Sequence, residues 1–130
     1  MNDSTETRRY ALLVRPDGFF QVLDWPGESS LQTLYRAIDC QAVDVADITP
    51  TLSMWVDDEG AINGCRVNVP ATHLFQAHGT PRQAYFGNAV FTGGTDPEGD
   101  TLGLTEDQLL TLLVSALNDL PKIVYIPTQR

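Results

Sequence analysis

The side chains with the most chemical capacity in this sequence are carboxylates, and many fall into two stretches that contain no Lys or Arg. The first stretch holds Asp39, Asp44, Asp47, Asp57, Asp58 and Glu59, and the second holds Asp96, Glu98, Asp100, Glu106, Asp107 and Asp119. Grouped carboxylates either surround a hard cation or form a surface that attracts a basic partner. Asp96, Glu98 and Asp100 alternate as calcium-loop ligands do, but Thr101 stands at the sixth position, where the sharp turn needs glycine. Asp107 stands at the twelfth, where a bidentate Glu is needed, and Pro97 stiffens the segment, so no metal is expected. The surface reading remains, with Asp57, Asp58, Glu59, Asp96, Glu98 and Asp100 as candidate partner-binding residues. The spacing of Asp44 and Asp47, with the acids opening the last helix, suggests an alternative in which carboxylates align as phosphates do in duplex DNA. Such a face would make the chain an acidic DNA mimic or anti-defence inhibitor of a basic DNA-binding protein. The plainer account of the same acids is a surface that keeps the protein soluble.

No other constellation points to catalysis. His73 and His78 do not share a helical face, and no HExxH pair exists. Cys65 with His73 would make a nucleophile pair only with an orienting group and an oxyanion hole, and neither is recognisable. Cys40 and Cys65 fit neither a CxxC redox pair nor a zinc knuckle and read as buried, reduced thiols. The glycines from Gly87 to Gly103 match neither phosphate-binding signature, and a GxSxG elbow is absent. Trp25 and Trp55 read as core or sheet-surface aromatics. A small-ligand module is a further alternative and needs an enclosed pocket lined by Trp55, Phe75, Tyr85 and Phe91. The expectation is a non-enzymatic protein, without cofactor, that acts by binding a protein partner.

The elements that must position these groups belong to one domain. The chain has 130 residues, with 42% hydrophobic and 19% charged, enough to bury a core without a disulfide or metal. Its 17 acidic against 8 basic residues, a net charge of −9, argue against direct nucleic-acid binding, which rests on clustered Lys and Arg. No apolar run approaches membrane-spanning length, the N-terminus lacks the pattern of a signal peptide, and a cytoplasmic protein is expected. Residues 1–9 read as a disordered tail and residues 10–130 as a single α+β domain.

Tyr10 to Val14 and Phe19 to Trp25 are apolar runs joined by Pro16 and Gly18, the signature of a β-hairpin. Ser29 and Gln32 form a capping box before a helical stripe of Leu31, Leu34, Tyr35 and Ile38. Ala42 to Val69 alternates as a β-meander, with Ile62, Cys65, Val67 and Val69 expected to carry its third strand. Pro70 to Gln76 reads as a helical turn and Ala84 to Thr92 as a buried strand. Thr105 and Gln108 form a second capping box, opening a helix whose apolar face is Leu109, Leu112, Leu113, Ala116, Leu117 and Leu120. Pro121 is expected to end it, with Ile123 to Ile126 a last short strand. The expected fold is a mostly antiparallel sheet covered on one face by the two capped helices.

From Leu23 to about Gln108 the order of features resembles the uncharacterised family called domain of unknown function 3846, found in actinobacteria, other Gram-positive bacteria and their phages and plasmids. The resemblance lies in SSLQTLY, DDEGAINGCRVNVPATHLF, GNAVFTGG and the acidic loop running into LTEDQL. Asn68, Ala71, Thr72 and Leu74 stand where that family has N, then AT, then L, and Gly87, Val90, Phe91 and Gly94 look like its glycine-flanked strand. The resemblance implies a small accessory protein of a mobile element or its host and supplies no active site.

Overall fold

The computed structural model describes residues 8–26, 30–80 and 83–124. Among these residues five strands form one antiparallel sheet: β1 (Tyr10–Val14), β2 (Phe20–Asp24), β3 (Val43–Thr49), β4 (Leu52–Asp57) and β5 (Ala89–Gly93). Their spatial order is β2-β1-β5-β4-β3, so β5 is inserted between the two hairpins and β3 is an edge. Three helices accompany them among the described residues: α1 (Ser30–Ile38), α2 (Val69–His78) and α3 (Glu106–Val124). The α+β fold and the antiparallel sheet are as the sequence pattern indicates.

Local chemistry accounts for the turns that the sequence announces. In the first hairpin the Gly18 N–H donates to Arg15 O at 3.0 Å and the Arg15 N–H to Phe19 O at 2.9 Å. Gly18 takes φ 90°, the left-handed region that glycine enters without a Cβ penalty. The Thr105 N–H donates to Gln108 Oε1 at 2.9 Å while Gln108 N–H donates to Thr105 Oγ1 at 3.1 Å, closing the capping box that opens α3. The other expected box depends on Ser29, which lies outside the described residues.

The helices divide between the two faces of the sheet, where the sequence reading puts both capped helices on one. Leu12, Val14, Met54, Val56 and Phe91 meet Leu74 and Phe75 of α2 and Leu109, Leu112 and Ala116 of α3. Ala11, Leu13 and Val90 point the other way, onto Leu34 and Ile38 of α1. Residues 11–14 are all buried because successive strand side chains alternate and both faces are covered. A continuous apolar run in β1 is therefore the sign of a sheet with helices on both sides.

Three further expectations are corrected. The third meander strand does not form: Ile62 is 84% exposed, and Val67 makes only an isolated bridge to Phe86. Residues 58–64 instead turn back on themselves, with the Asn63 N–H donating to Glu59 O and Cys65 N–H to Gly60 O. Pro70 belongs not to a single turn but to the ten-residue α2, capped by Asn68. Pro121 does not end α3, which continues to Val124, so Ile123 and Val124 are helical and the remainder of the expected strand lies outside the described residues. Proline has no N–H, so Pro121 leaves the Leu117 carbonyl without its usual helical donor while the helix runs on. Leu117 is 65% exposed and so lies outside the buried face of α3 that its spacing assigns it to.

Candidate partner-binding site

The six carboxylates singled out by sequence do not come together. Asp57, Asp58 and Glu59 follow the end of β4 that pairs with the start of β5, since Val56 faces Ala89. Asp96, Glu98 and Asp100 follow the far end of β5, where Gly93 faces Leu52. Roughly 17 Å of strand, at about 3.4 Å per residue, separates the groups. Asp44 and Asp47 do not align either. They pair with Val56 and Ser53, which sit three residues apart on β4 and hence on opposite faces.

Within each group one acid builds the turn and the others stay exposed. Asp57 Oδ1 accepts the Glu59 N–H at 2.9 Å and Oδ2 accepts from Asn63 Nδ2 at 3.3 Å. Asp96 Oδ1 accepts the N–H groups of Glu98 and Asp100, both at 2.9 Å, and Gly99 completes the turn at φ 90°. Asp58, Glu59, Glu98 and Asp100 face solvent. The ion pairs among the described residues are Arg8–Asp24 and Arg15–Asp17, so none of the six acids is neutralised by one.

The Asp57–Glu59 end of the sheet is bordered by two clefts. A cleft of about 300 Å³ runs between Asp57, Asp58 and the 83–86 segment. A second of about 400 Å³ lies along Asp44 to Asp47 of β3, and both are walled by Gln83 and Tyr85. Tyr85 is held by stacking on Phe75, ring centroids 5.4 Å apart and planes 15° from parallel. Beneath this end lies Cys40, whose thiol is pushed up from its ordinary pKa by burial first and by the Asp57 and Asp39 charges next. A thiol held protonated is a poor nucleophile. Cys40 and Cys65 are both free and half-buried, less enclosed than the buried thiols the sequence suggests.

One buried polar side chain, read from sequence only as part of a family pattern, organises the neighbourhood. Asn68 is fully buried, and its Nδ2 donates to Val14 O at 2.9 Å and to Gly87 O at 2.7 Å. Its Oδ1 accepts the Ala71 N–H at 3.0 Å, while Thr72 Oγ1 donates to Asn68 O at 2.8 Å. Asn68 N–H donates in turn to Tyr85 O at 2.7 Å. Asn68 thus ties β1, the start of α2 and the 85–87 segment into one unit that positions Tyr85.

The remaining candidates have structural roles. Trp25 Nε1 donates to Thr101 O at 3.2 Å and Trp55 Nε1 to Thr92 Oγ1 at 3.0 Å. Phe75, Tyr85 and Phe91 are buried in one cluster, whereas Trp55 packs with the cluster on the opposite face. His78 Nε2 and Ser115 Oγ, 3.2 Å apart, link α2 to α3, and no hydrogen bond joins Cys65 to His73 among the described residues. Among the same residues no group of three or more His, Cys, Asp or Glu is placed to hold a metal, and no helix is long and apolar enough to cross a membrane.

No curated protein and no solved structure matches the chain. A family model, described as a domain of unknown function, DUF3846, matches residues 8–116, taking in all five strands, α1, α2 and most of α3. That match covers more than half of the chain, and on it the chain belongs to the DUF3846 family.

Proposed function

We propose that this protein is a non-enzymatic accessory protein that works by binding a basic protein partner at the Asp57–Glu59 end of its sheet. The observation that carries this reading is the exposure of Asp58, on the wall of a cleft, and of its neighbour Glu59, neither in an ion pair among the described residues. Clustered unpaired charge raises encounter rates with an oppositely charged partner and sets orientation. The wide separation of the two acidic turns supports a local patch over a DNA-mimicking face, whose acids need phosphate-like alignment. Family membership and the free thiols Cys40 and Cys65 fit an accessory protein of a phage, plasmid or bacterial host acting in the reducing cytoplasm.

The test is affinity capture from the native host at low and high salt, with turnover screens run alongside. Capture of a basic protein that is lost at high salt and on neutralising Asp58 and Glu59 is expected. Salt-indifferent capture, or an enzymatic turnover abolished by a point change, refutes the proposal.

A further inference from the structure

Among the described residues β3 has β4 on one side and no strand on the other. In an antiparallel strand the N–H and C=O of one residue point to the same side, and the next residue's to the other. The Asp58 N–H donates to Ala42 O at 2.9 Å, which puts Ala42, Asp44 and Ala46 on the β4 side. Val43, Val45 and Asp47 therefore aim their backbone groups outward. Beyond Asp47 the edge closes: a Cβ on Gly79 would lie 3.0 Å from Ile48 O, so the end of α2 sits directly against the strand. The open stretch is bordered by the 400 Å³ cleft, whose other walls are Phe75, Thr80, Gln83 and Tyr85.

One outward amide is already occupied. Asp44 Oδ1 accepts the N–H of Val45 at 3.0 Å, so the strand's own carboxylate fills the position that a neighbouring strand's carbonyl would take. Inward or self-capping charges on an edge strand discourage indiscriminate pairing. Asp44 and Asp47 have no ion-pair partner among the described residues, and Asp57 and Asp58 continue the negative charge beyond the strand. A second copy of β3 would set acid against acid, whereas an extended basic segment is complementary along its length.

We propose that the outer edge of β3, from Val43 to Asp47, takes an extended Lys- or Arg-containing segment of the partner as an added strand, with Asp44 as its gate. A cationic side chain of the segment draws the Asp44 carboxylate from the Val45 N–H, and a backbone carbonyl of the segment replaces it. Neutral strands lack that cation and meet an occupied amide. This inference rests on the reading that the partner is basic and adds the mode of recognition.

The probe is a synthetic peptide of alternating lysine and valine, about nine residues long, enough to span a strand. It is compared with its backbone N-methylated form and with a glutamine–valine peptide. The isotope-labelled full chain is followed by amide shifts at low salt. Binding of the lysine peptide is expected to shift Val43, Val45 and Asp47. N-methylation should weaken it about tenfold or more, as loss of two or three backbone hydrogen bonds requires. Asp44→Asn, checked for an unchanged circular dichroism spectrum, should abolish the preference for lysine over glutamine. Equal binding of the N-methylated peptide, with shifts confined to Asp58 and Glu59, overturns strand addition and leaves the acidic-patch reading standing. Absence of binding by either lysine peptide overturns both, and a stronger response of the glutamine peptide on Asp44→Asn, with the lysine peptide unaffected, reduces Asp44 to an edge guard and overturns its role as gate.

Discussion

The side-chain amide of Asn68 donates a 2.7 Å hydrogen bond to the carbonyl of Gly87, 19 residues further along the chain. Because the same amide also reaches Val14 O, replacing it strands two carbonyls in a fully buried site and uncaps α2. Asn68→Ala should cost about 3 kcal/mol or more, the sum expected for lost bonds and unsatisfied acceptors. Asn68→Asp should cost more, since its carboxylate cannot donate to either carbonyl. Urea unfolding followed by fluorescence of Trp25 and Trp55 measures both.

Two glycines that look alike in sequence are constrained by different causes. A Cβ at Gly94 would collide with the Pro50 carbonyl oxygen, whereas Gly99 has open space around it and only a φ of 90° to satisfy. Gly94→Ala should therefore cost well over 2 kcal/mol, as backbone must move, and Gly99→Ala about 1 kcal/mol for the left-handed conformation. Thermal unfolding that ranks them in the reverse order contradicts the packing described at the β5 end.

α3 offers a paired comparison on one helix. Leu112 is 1% exposed in the core below the sheet and Leu117 is 65% exposed. Leu112→Ala should cost about 3 kcal/mol, while Leu117→Ala should change stability by less than about 0.5 kcal/mol. A large loss for Leu117→Ala in dilute monomer would mean that the exposed side of α3 is covered.

The pH response of the first turn follows from Asp17. Its carboxyl is held below the ordinary value of 3.8, first by the Phe19 N–H and next by Arg15, whose Nη2 donates to it at 2.7 Å. A depressed folded pKa means stabilisation that is complete above the unfolded value and is lost as pH falls through the folded one. Asp17→Asn should therefore be less stable than the parent near neutral pH, and the difference should close as pH falls below the lowered folded value. Urea titrations from neutral pH into acid check this; a gap that does not narrow as pH falls contradicts it.

What could be read in advance was local chemistry. Pro16 with Gly18, and Thr105 with Gln108, carry their partners within four residues, so hairpin and cap are legible without knowing the rest of the fold. The expected strand through Ile62 failed because the Asp57 carboxylate starts a turn, and Gly60 then lies so close to Phe86 that a Cβ would come within 2.8 Å of its carbonyl oxygen. Period-two apolar spacing carries no information about either contact. The acidic residues were legible as a set, but their separation is fixed by β4 pairing with β5, a contact between segments more than 30 residues apart. Likewise β5 pairs with the side of β4 that β3 leaves free, and β3 stands at the edge of the described sheet. Asn68 carried no signal beyond the family pattern, because its partners come from three separate segments.

The central claim is that Asp58 and Glu59 attract a basic partner. The most direct measurement is the salt dependence of binding between the captured partner and either the parent protein or the Asp58→Asn, Glu59→Gln double variant, by titration calorimetry. Both substitutions lie at exposed positions, so folding is retained. The account predicts parent affinity that falls steeply as salt rises, and a variant that binds at least about tenfold more weakly at low salt with a shallower slope. Equal affinity and equal slope for the two proteins would contradict it.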